Sequence, residues 1–218
     1  MVEYIMTLLQ VALDCLKLGE ALRISSEVEE YVDIIEVGTP LIKSEGLRTV
    51  EILKKVFMEK LIFADTKTMD VGDLEARMAF DAGADIMSVC SVAPRQTIKA
   101  AIEEGRKRDK KVMVDLLGAI DKIHTARDIM DMGPHYFCIH TGIDEQKAGM
   151  DPFKALESFS KKISTHFAVA GGIKPEDIIK IMHFSPSIII VGGYITKAQD
   201  PKEAAKLLRA EIKGVEKK

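Results

Sequence analysis

The chain has 218 residues, which suits one domain with a large core, and its 47% hydrophobic and 30% charged content lies near soluble globular averages. A net charge of −3 and a pI near 6.0 give no bulk attraction to nucleic acid or anionic lipid, so neither is expected as a partner. Three cysteines (Cys15, Cys90 and Cys138), an odd number without C-x-x-C spacing, speak against a disulfide framework or a zinc site and for a reducing cytoplasm. Met1–Gln10 lacks the basic start and apolar stretch of a signal peptide. No apolar run approaches the roughly 18 residues of a membrane span. With no low-complexity or Pro/Gly/Ser-rich linker, residues 1–218 read as a single domain.

In chain order, eight short apolar runs recur: Leu8–Leu13, Asp33–Val37, Leu61–Ala64, Asp85–Val89, Val112–Val114, Tyr136–Ile139, Phe167–Ala170 and Ile188–Val191. They are rich in Val and Ile and mostly do not alternate polar with apolar, which predicts strands buried on both faces of a parallel sheet. Amphipathic segments lie between them. Leu74, Met78 and Ala82 recur every four residues, and Ile98, Ile102 and Gly105 keep a similar stripe. Ser44, Asp121 and Asp200 read as helix caps, and Gly83, Gly105 and Gly133 as left-handed residues at helix ends. Strict β-then-α alternation, with a repeat of about 25 residues, gives βαβ units that close either as an open doubly wound sheet or as a barrel. Eight units, and no G-x-G-x-x-G after the first run, favour a single (β/α)8 TIM barrel.

In such a barrel the active site forms at the C-terminal ends of the strands. There the runs contain or lead into Asp14, Glu36, Asp65 with Lys67 just beyond, Asp115, His140, Gly171-Gly172 and Gly192-Gly193. Burying so many charges without a shared purpose costs roughly several kcal/mol each. Each has a blander reading: Asp14 as cap of the first helix, Asp115 as ion-pair partner of a mouth lysine, His140 as a hydrogen-bonded core residue, the glycine pairs as tight turns. Glu36 is the hardest to explain away, because it sits inside Ile34-Ile35-Glu36-Val37. Two glycine pairs after adjacent strands suit backbone N–H groups closing on a phosphate. His124, His135, His166 and His183 have no such placement and read as surface or loop residues.

The run Asp65-Thr66-Lys67-Thr68-Met69-Asp70 sets two carboxylates around one ammonium, which keeps all three charged. With Glu36 one strand away, hard oxygen ligands converge where Mg2+ or Mn2+ can sit beside substrate oxygens. Such an array stabilises a carbanion or its oxygen, with His140 placed to shuttle protons. The two acids beside Lys67 oppose an imine role for it. A surface salt-bridge cluster is the blander reading, and the strand Leu61–Ala64 leading directly into the run speaks against it.

That D-x-K-x-x-D run resembles the one after the third strand in the orotidine 5'-monophosphate decarboxylase suprafamily. Leu9–Asp14 and Val32–Thr39 resemble its branch of hexulose-phosphate synthases and keto-gulonate-phosphate decarboxylases, and the similarity runs from about Leu9 to Ile212. His140-Thr141-Gly142-Ile143-Asp144-Glu145-Gln146 is similar to the synthase side; the decarboxylases have arginine at the place of Ile143 and again at that of Gly193. The resemblance implies an aldehyde-lyase of the ribulose monophosphate pathway, which condenses formaldehyde with D-ribulose 5-phosphate to D-arabino-3-hexulose 6-phosphate or runs the reverse. It further implies Mg2+ on Glu36 and Asp65 holding an enediolate, Lys67 stabilising the oxyanion and His140 as acid/base. Asp14 and Asp115 would contact the substrate, and Gly171, Gly172, Gly192 and Gly193 its phosphate. It also implies a homodimer in which Asp70 reaches the partner's site. The alternatives are a keto-gulonate-phosphate decarboxylase and, from another class, a non-catalytic phosphosugar-binding module, which has no need of Glu36, Asp65, Lys67 and His140 together.

Overall fold

Short Val- and Ile-rich runs become strands because their branched side chains fit a pleated surface, and the longer amphipathic segments become helices. A computed structural model describes residues 6–150 and 152–216; the first half of Met1–Gln10 and both extreme ends of the expected domain lie outside them. The first half of the chain gives β1 (Leu8–Leu13), α1 (Leu18–Val28), β2 (Ile34–Val37), α2 (Thr39–Glu45), α3 (Arg48–Val56), β3 (Leu61–Thr68), α4 (Gly72–Asp81), β4 (Ile86–Cys90) and α5 (Arg95–Lys107). The second gives β5 (Lys111–Asp115), α6 (Lys122–Met130), β6 (Tyr136–His140), α7 (Ile143–Lys147), α8 (Pro152–Lys162), β7 (Phe167–Ala170), α9 (Pro175–Met182), β8 (Ile188–Val191), α10 (Gly193–Thr196) and α11 (Pro201–Glu216). All strands are parallel, each pairs with the next in sequence, and β8 returns to β1, so the fold is a closed (β/α)8 barrel. Among the described residues no helix is long and apolar enough to cross a membrane.

Alternate side chains of each strand face opposite ways, which gives two apolar layers. Ile34, Phe63, Ile86, Met113 and Ile188 fill the barrel interior, while Val11, Ile35, Ile62 and Val89 pack outward under the helices. Phe159 of α8 packs on Phe137 of β6 and Phe167 of β7, with ring centres 6.2 and 5.9 Å away; burying each ring contributes about 1.5–3 kcal/mol. At the N-terminal rim, Asp33 and Asp85 stand just before β2 and β4. Asp33 accepts the Leu9 N–H and pairs with the buried Arg209 of α11. Asp85 accepts the Ile62 N–H and the ammonium groups of Lys54 and Lys110. Both carboxylates brace neighbouring strands from below.

Several local readings change in three dimensions. β3 runs four residues past Leu61–Ala64, through Thr68, so Lys67 lies within the strand rather than beyond it. Ala64 pairs with Met87 and Thr68 with Val89, which leaves Asp65, Thr66 and Lys67 opposite Ser88 alone, a wide bulge. Asp121 accepts the N–H groups of Ile123 and His124, and Asp200 that of Glu203, as cap residues should. Ser44 is no cap: it lies inside α2 and its hydroxyl donates to the Leu16 carbonyl. Gly83 and Gly133 take positive φ, but Gly105 lies inside α5, where a side chain would press on Val112. Asp109 supplies the left-handed turn instead. Leu74 and Met78 are not core either; both are about half exposed, and α4 buries Gly72, Ala76, Ala79 and Phe80.

Gly72 opens α4 against the Thr97 carbonyl of α5, and a Cβ there would fall well inside van der Waals contact with that backbone oxygen. Gly72→Ala is therefore expected to lower stability by about 1–3 kcal/mol, read as an earlier urea midpoint. An unchanged midpoint would mean that α4 and α5 separate without cost.

Candidate active site

The strand ends open into a cavity of about 1070 Å³. Asp14, Glu36, Asp65, Lys67, Asp115, His140 and the pairs Gly171-Gly172 and Gly192-Gly193 all line it. Asp70 does not line it: it is exposed just before α4, and its carboxylate accepts the Val71 N–H.

Lys67 is the hub. Its ammonium lies 2.8 and 3.1 Å from the two oxygens of Asp65 and 3.1 Å from Asp115 Oδ2. Burial opposes that charge, but Asp65 and Asp115 outweigh it and hold the Lys67 pKa well above its ordinary 10.5. Burial likewise favours a neutral Asp115; the hydrogen bond and charge of His140, with Lys67 and the Leu117 N–H, reverse this and hold it well below 3.8. The stability that Lys67 contributes is thus complete below 10.5 and lost as pH rises beyond it, and that of Asp115 is complete above 3.8 and lost as pH falls. His140 Nδ1 stands 3.0 Å from Asp115 Oδ2, a pairing that assigns the proton to Nδ1 and leaves Nε2 for proton exchange.

Glu36 is less well provided for. It is buried, with Oε2 held by Gln10 Nε2 at 2.6 Å. Burial, then Asp65 and Asp14, push its pKa well above 4.5 despite Gln10 and Lys67. Asp14, at the rim, is also raised, first by the desolvating walls and then by Asp65. It does not cap α1, whose N-cap is Lys17. Two carboxyls raised beside Asp65 mark a local deficit of positive charge, and their hard oxygen donors fit a divalent cation. Asp115, Cys138 and His140 also bring ligand atoms within 4.8 Å of one another. That place is taken: the Lys67 ammonium lies against Asp115, and burial keeps the Cys138 thiol protonated, well above 9.0.

Gly171 and Gly172 have φ of 119° and 67°, and side chains there would strike the Thr141 carbonyl and Gln146. At Gly192 and Gly193 the nearest atoms to an added Cβ are 3.6 and 3.9 Å away, so the cavity stays open above them. Sequence reasoning missed Thr39 and Ser88, whose hydroxyls each donate to Asp65 at 2.7 Å, and Gln10 under Glu36. It also missed Lys174 and Lys197, which line the cavity together with the glycines. Gln10 and Ser88 left a signal, each being a lone polar residue within an apolar strand. Thr39, Lys174 and Lys197 lie past strand ends, where spacing marks nothing.

The profile of the Orotidine 5'-phosphate decarboxylase / HUMPS family matches residues 7–208. The chain belongs to this family. It is 42% identical over 207 residues to the 3-hexulose-6-phosphate synthase of Staphylococcus haemolyticus, a match covering 94% of this chain and 99% of that one. The crystal structure of 3-hexulose-6-phosphate synthase from Salmonella typhimurium superposes with a TM-score of 0.93 at 35% identity, covering 95% and 99% of the two chains. A 3-keto-L-gulonate-6-phosphate decarboxylase from Vibrio cholerae gives 0.83 at 30% identity, covering 95% and 98%. The suprafamily resemblance of the D-x-K-x-x-D run thus extends over the whole barrel.

Glu36 also supplies an expected outcome for the metal-free family fold. Because its folded pKa lies above 4.5, the ionised carboxylate costs stability once pH exceeds that value. Glu36→Gln is expected to raise the melting temperature in EDTA at about pH 8, by on the order of 1 kcal/mol of stability, and to abolish turnover. A lower melting temperature would show the carboxylate to be well satisfied where it is.

Proposed function

We propose that the chain is an aldehyde-lyase of the 3-hexulose-6-phosphate synthase type, joining formaldehyde to D-ribulose 5-phosphate to give D-arabino-3-hexulose 6-phosphate and running the reverse. The observation that carries this reading is that Ile143 and Gly193 both line the cavity and neither bears charge. The decarboxylase branch resembled above has arginine at both places. Formaldehyde is small and neutral and needs no cation to hold it. Relatives at 42% and 35% identity that carry the synthase name support the reading, and the decarboxylase matches at the lower identity of 30%.

The reaction takes a proton from C1 of ribulose 5-phosphate, beside its C2 ketone. The electron pair left on C1 attacks the formaldehyde carbon, and the formaldehyde oxygen takes up a proton as the new C–C bond forms. His140 moves protons through Nε2, while Asp115 accepts the Nδ1 proton and orients the ring. The Lys67 ammonium, secured by Asp65 and Asp115, stabilises the oxygen on which negative charge develops. Glu36 and Asp65 would hold Mg2+ or Mn2+, and when bound the cation supplies Lewis-acid stabilisation to the same oxygen. Asp14 accepts hydrogen bonds from substrate hydroxyls. Gly171, Gly172, Gly192 and Gly193 leave room for the phosphate, and Lys174 and Lys197 offset its charge.

Formaldehyde-dependent loss of ribulose 5-phosphate is the expected activity, abolished by EDTA and restored by Mg2+ or Mn2+, with Zn2+ serving poorly. Release of CO2 from 3-keto-L-gulonate 6-phosphate instead would make the chain a decarboxylase. Full activity in thoroughly chelated enzyme would remove the metal from the mechanism, and binding of phosphosugar without either reaction would leave a binding module.

We further propose a homodimer in which Asp70 serves the partner's site. Asp70 lies outside its own cavity, beside Met69, Val71, Leu74 and Met78, all about half exposed and forming an apolar face next to a motif residue. Inactive Lys67→Ala and Asp70→Ala proteins, unfolded together and refolded as a mixture, are expected to recover about a quarter of wild-type activity, since about half the dimers are mixed and each mixed dimer holds one intact site. Recovery near zero, with mixed dimers confirmed by mass, would return Asp70 to its own chain's site.

A further inference from the structure

Asp65, Thr66 and Lys67 stand opposite Ser88 alone, and each of the three is bonded to it. The Lys67 N–H donates to Ser88 Oγ at 2.9 Å, Ser88 Oγ donates to Asp65 Oδ1 at 2.7 Å, and Thr66 Oγ1 donates to the Ser88 carbonyl at 2.7 Å. One hydroxyl thus spends its single donor on the carboxylate and a lone pair on the lysine backbone. Ser88 is only 1% exposed, so water does not compete for these bonds. Lys67 has φ 45°, a left-handed conformation that a non-glycine residue keeps only where its surroundings hold it. From the same strand, the Cys90 thiol, kept neutral by burial, donates weakly to the Lys67 carbonyl at 3.5 Å.

We propose that Ser88 is the positioning residue of this site: its hydroxyl locks the Lys67 backbone and the Asp65 carboxylate to one another, and so sets where the ammonium stands against the reacting oxygen. Ser88 acts through Lys67 and Asp65, and the kinetic part of its test rests on the synthase reading. In the full chain, Ser88→Ala is expected to lower kcat by about 10²-fold while KM for ribulose 5-phosphate stays within about threefold, because substrate contacts persist and only the reacting groups shift. Ser88→Thr keeps the hydroxyl and is expected to recover most of kcat. Hydrogen exchange gives a readout free of activity: protection of the Lys67 amide falls at least about tenfold in Ser88→Ala, returns in Ser88→Thr, and is unchanged at Val114. A folded Ser88→Ala protein with wild-type kcat or wild-type Lys67 protection overturns the proposal. So does a Ser88→Thr protein that regains the protection but not the rate. Should Ser88→Ala not fold, Ser88→Cys, close in size with a weaker donor, takes its place under the same criteria. A wild-type protein inactive on formaldehyde and ribulose 5-phosphate sinks the synthase reading alone, and the exchange measurement then decides the Ser88 proposal by itself.

Discussion

Asp14, Glu36, Asp65 and Asp115 share the barrel mouth with Lys67, whose ammonium is in direct contact with only two of them. Unit charges roughly 4 Å apart interact by about 4 kcal/mol at the effective dielectric of a protein surface, so where that one cation stands matters to every acid around it. Asp65 and Asp115 take it, and His140 together with Lys67 keeps Asp115 ionised although buried. Glu36 and Asp14 are left with burial and like charge, and both are held towards the neutral form. Lys67 is therefore a structural residue of the barrel mouth, whatever it does in the reaction. Without it Asp65 would stand buried with no cation in contact among the described residues, and Asp115 would keep only His140 and the Leu117 N–H; breaking a buried ion pair typically costs about 3–5 kcal/mol.

The backbone around Lys67 is shaped to deliver that contact. Lys67 and Val71 both lie in the left-handed region, at φ 45° and 44°, bracketing the end of β3 and the start of α4. For a β-branched residue such as Val71 this is a true outlier, and each such residue stores on the order of 1–3 kcal/mol. Different devices hold the two: the Ser88 hydroxyl takes the Lys67 N–H, and the Asp70 carboxylate takes that of Val71. Between them the chain leaves the barrel, turning Lys67 to the cavity and Met69 and Asp70 to the outer surface. One five-residue turn thus serves two surfaces, which is why a motif read as one cluster divides in space.

The barrel was legible because its strands are apolar on both faces, so even four-residue runs such as Phe167–Ala170 and Ile188–Val191 stand out. The end of β3 was not, because Asp65 to Thr68 breaks the apolar pattern and pairs with β4 through hydroxyl groups as well as backbone. Leu74 and Met78 share a helix face, but spacing says only which residues stand together, not which way the face turns; the close approach of α4 to α5 at Gly72 decides that. At the site, residues at strand ends were found because the fold rule names those positions. Thr39, Lys174 and Lys197 obey no such rule, and only the closed barrel brings them to the cavity.

The two rims of the barrel use the same residue type for opposite ends. Asp85, at the N-terminal rim, is partly buried, yet the ammonium groups of Lys110 and Lys54 and the Ile62 N–H hold its pKa below 3.8. Asp33 has the Leu9 N–H and Arg209. These carboxylates are complete as folded, and their charge serves strand pairing. At the C-terminal rim Glu36 has one amide donor and two acidic neighbours, and Asp14 has no cation in direct contact among the described residues. A fold that satisfies its acids at one end does not leave them short at the other for want of lysines, since Lys174 and Lys197 line the same cavity. Lys197 stands beside Gly193 and favours ionised Asp14, whose Oδ2 lies near Gly192, but desolvation and Asp65 outweigh it. The cavity thus holds carboxyl oxygens suited to a cation beside glycines and lysines suited to a phosphate, with Lys67 and His140 in the same lining.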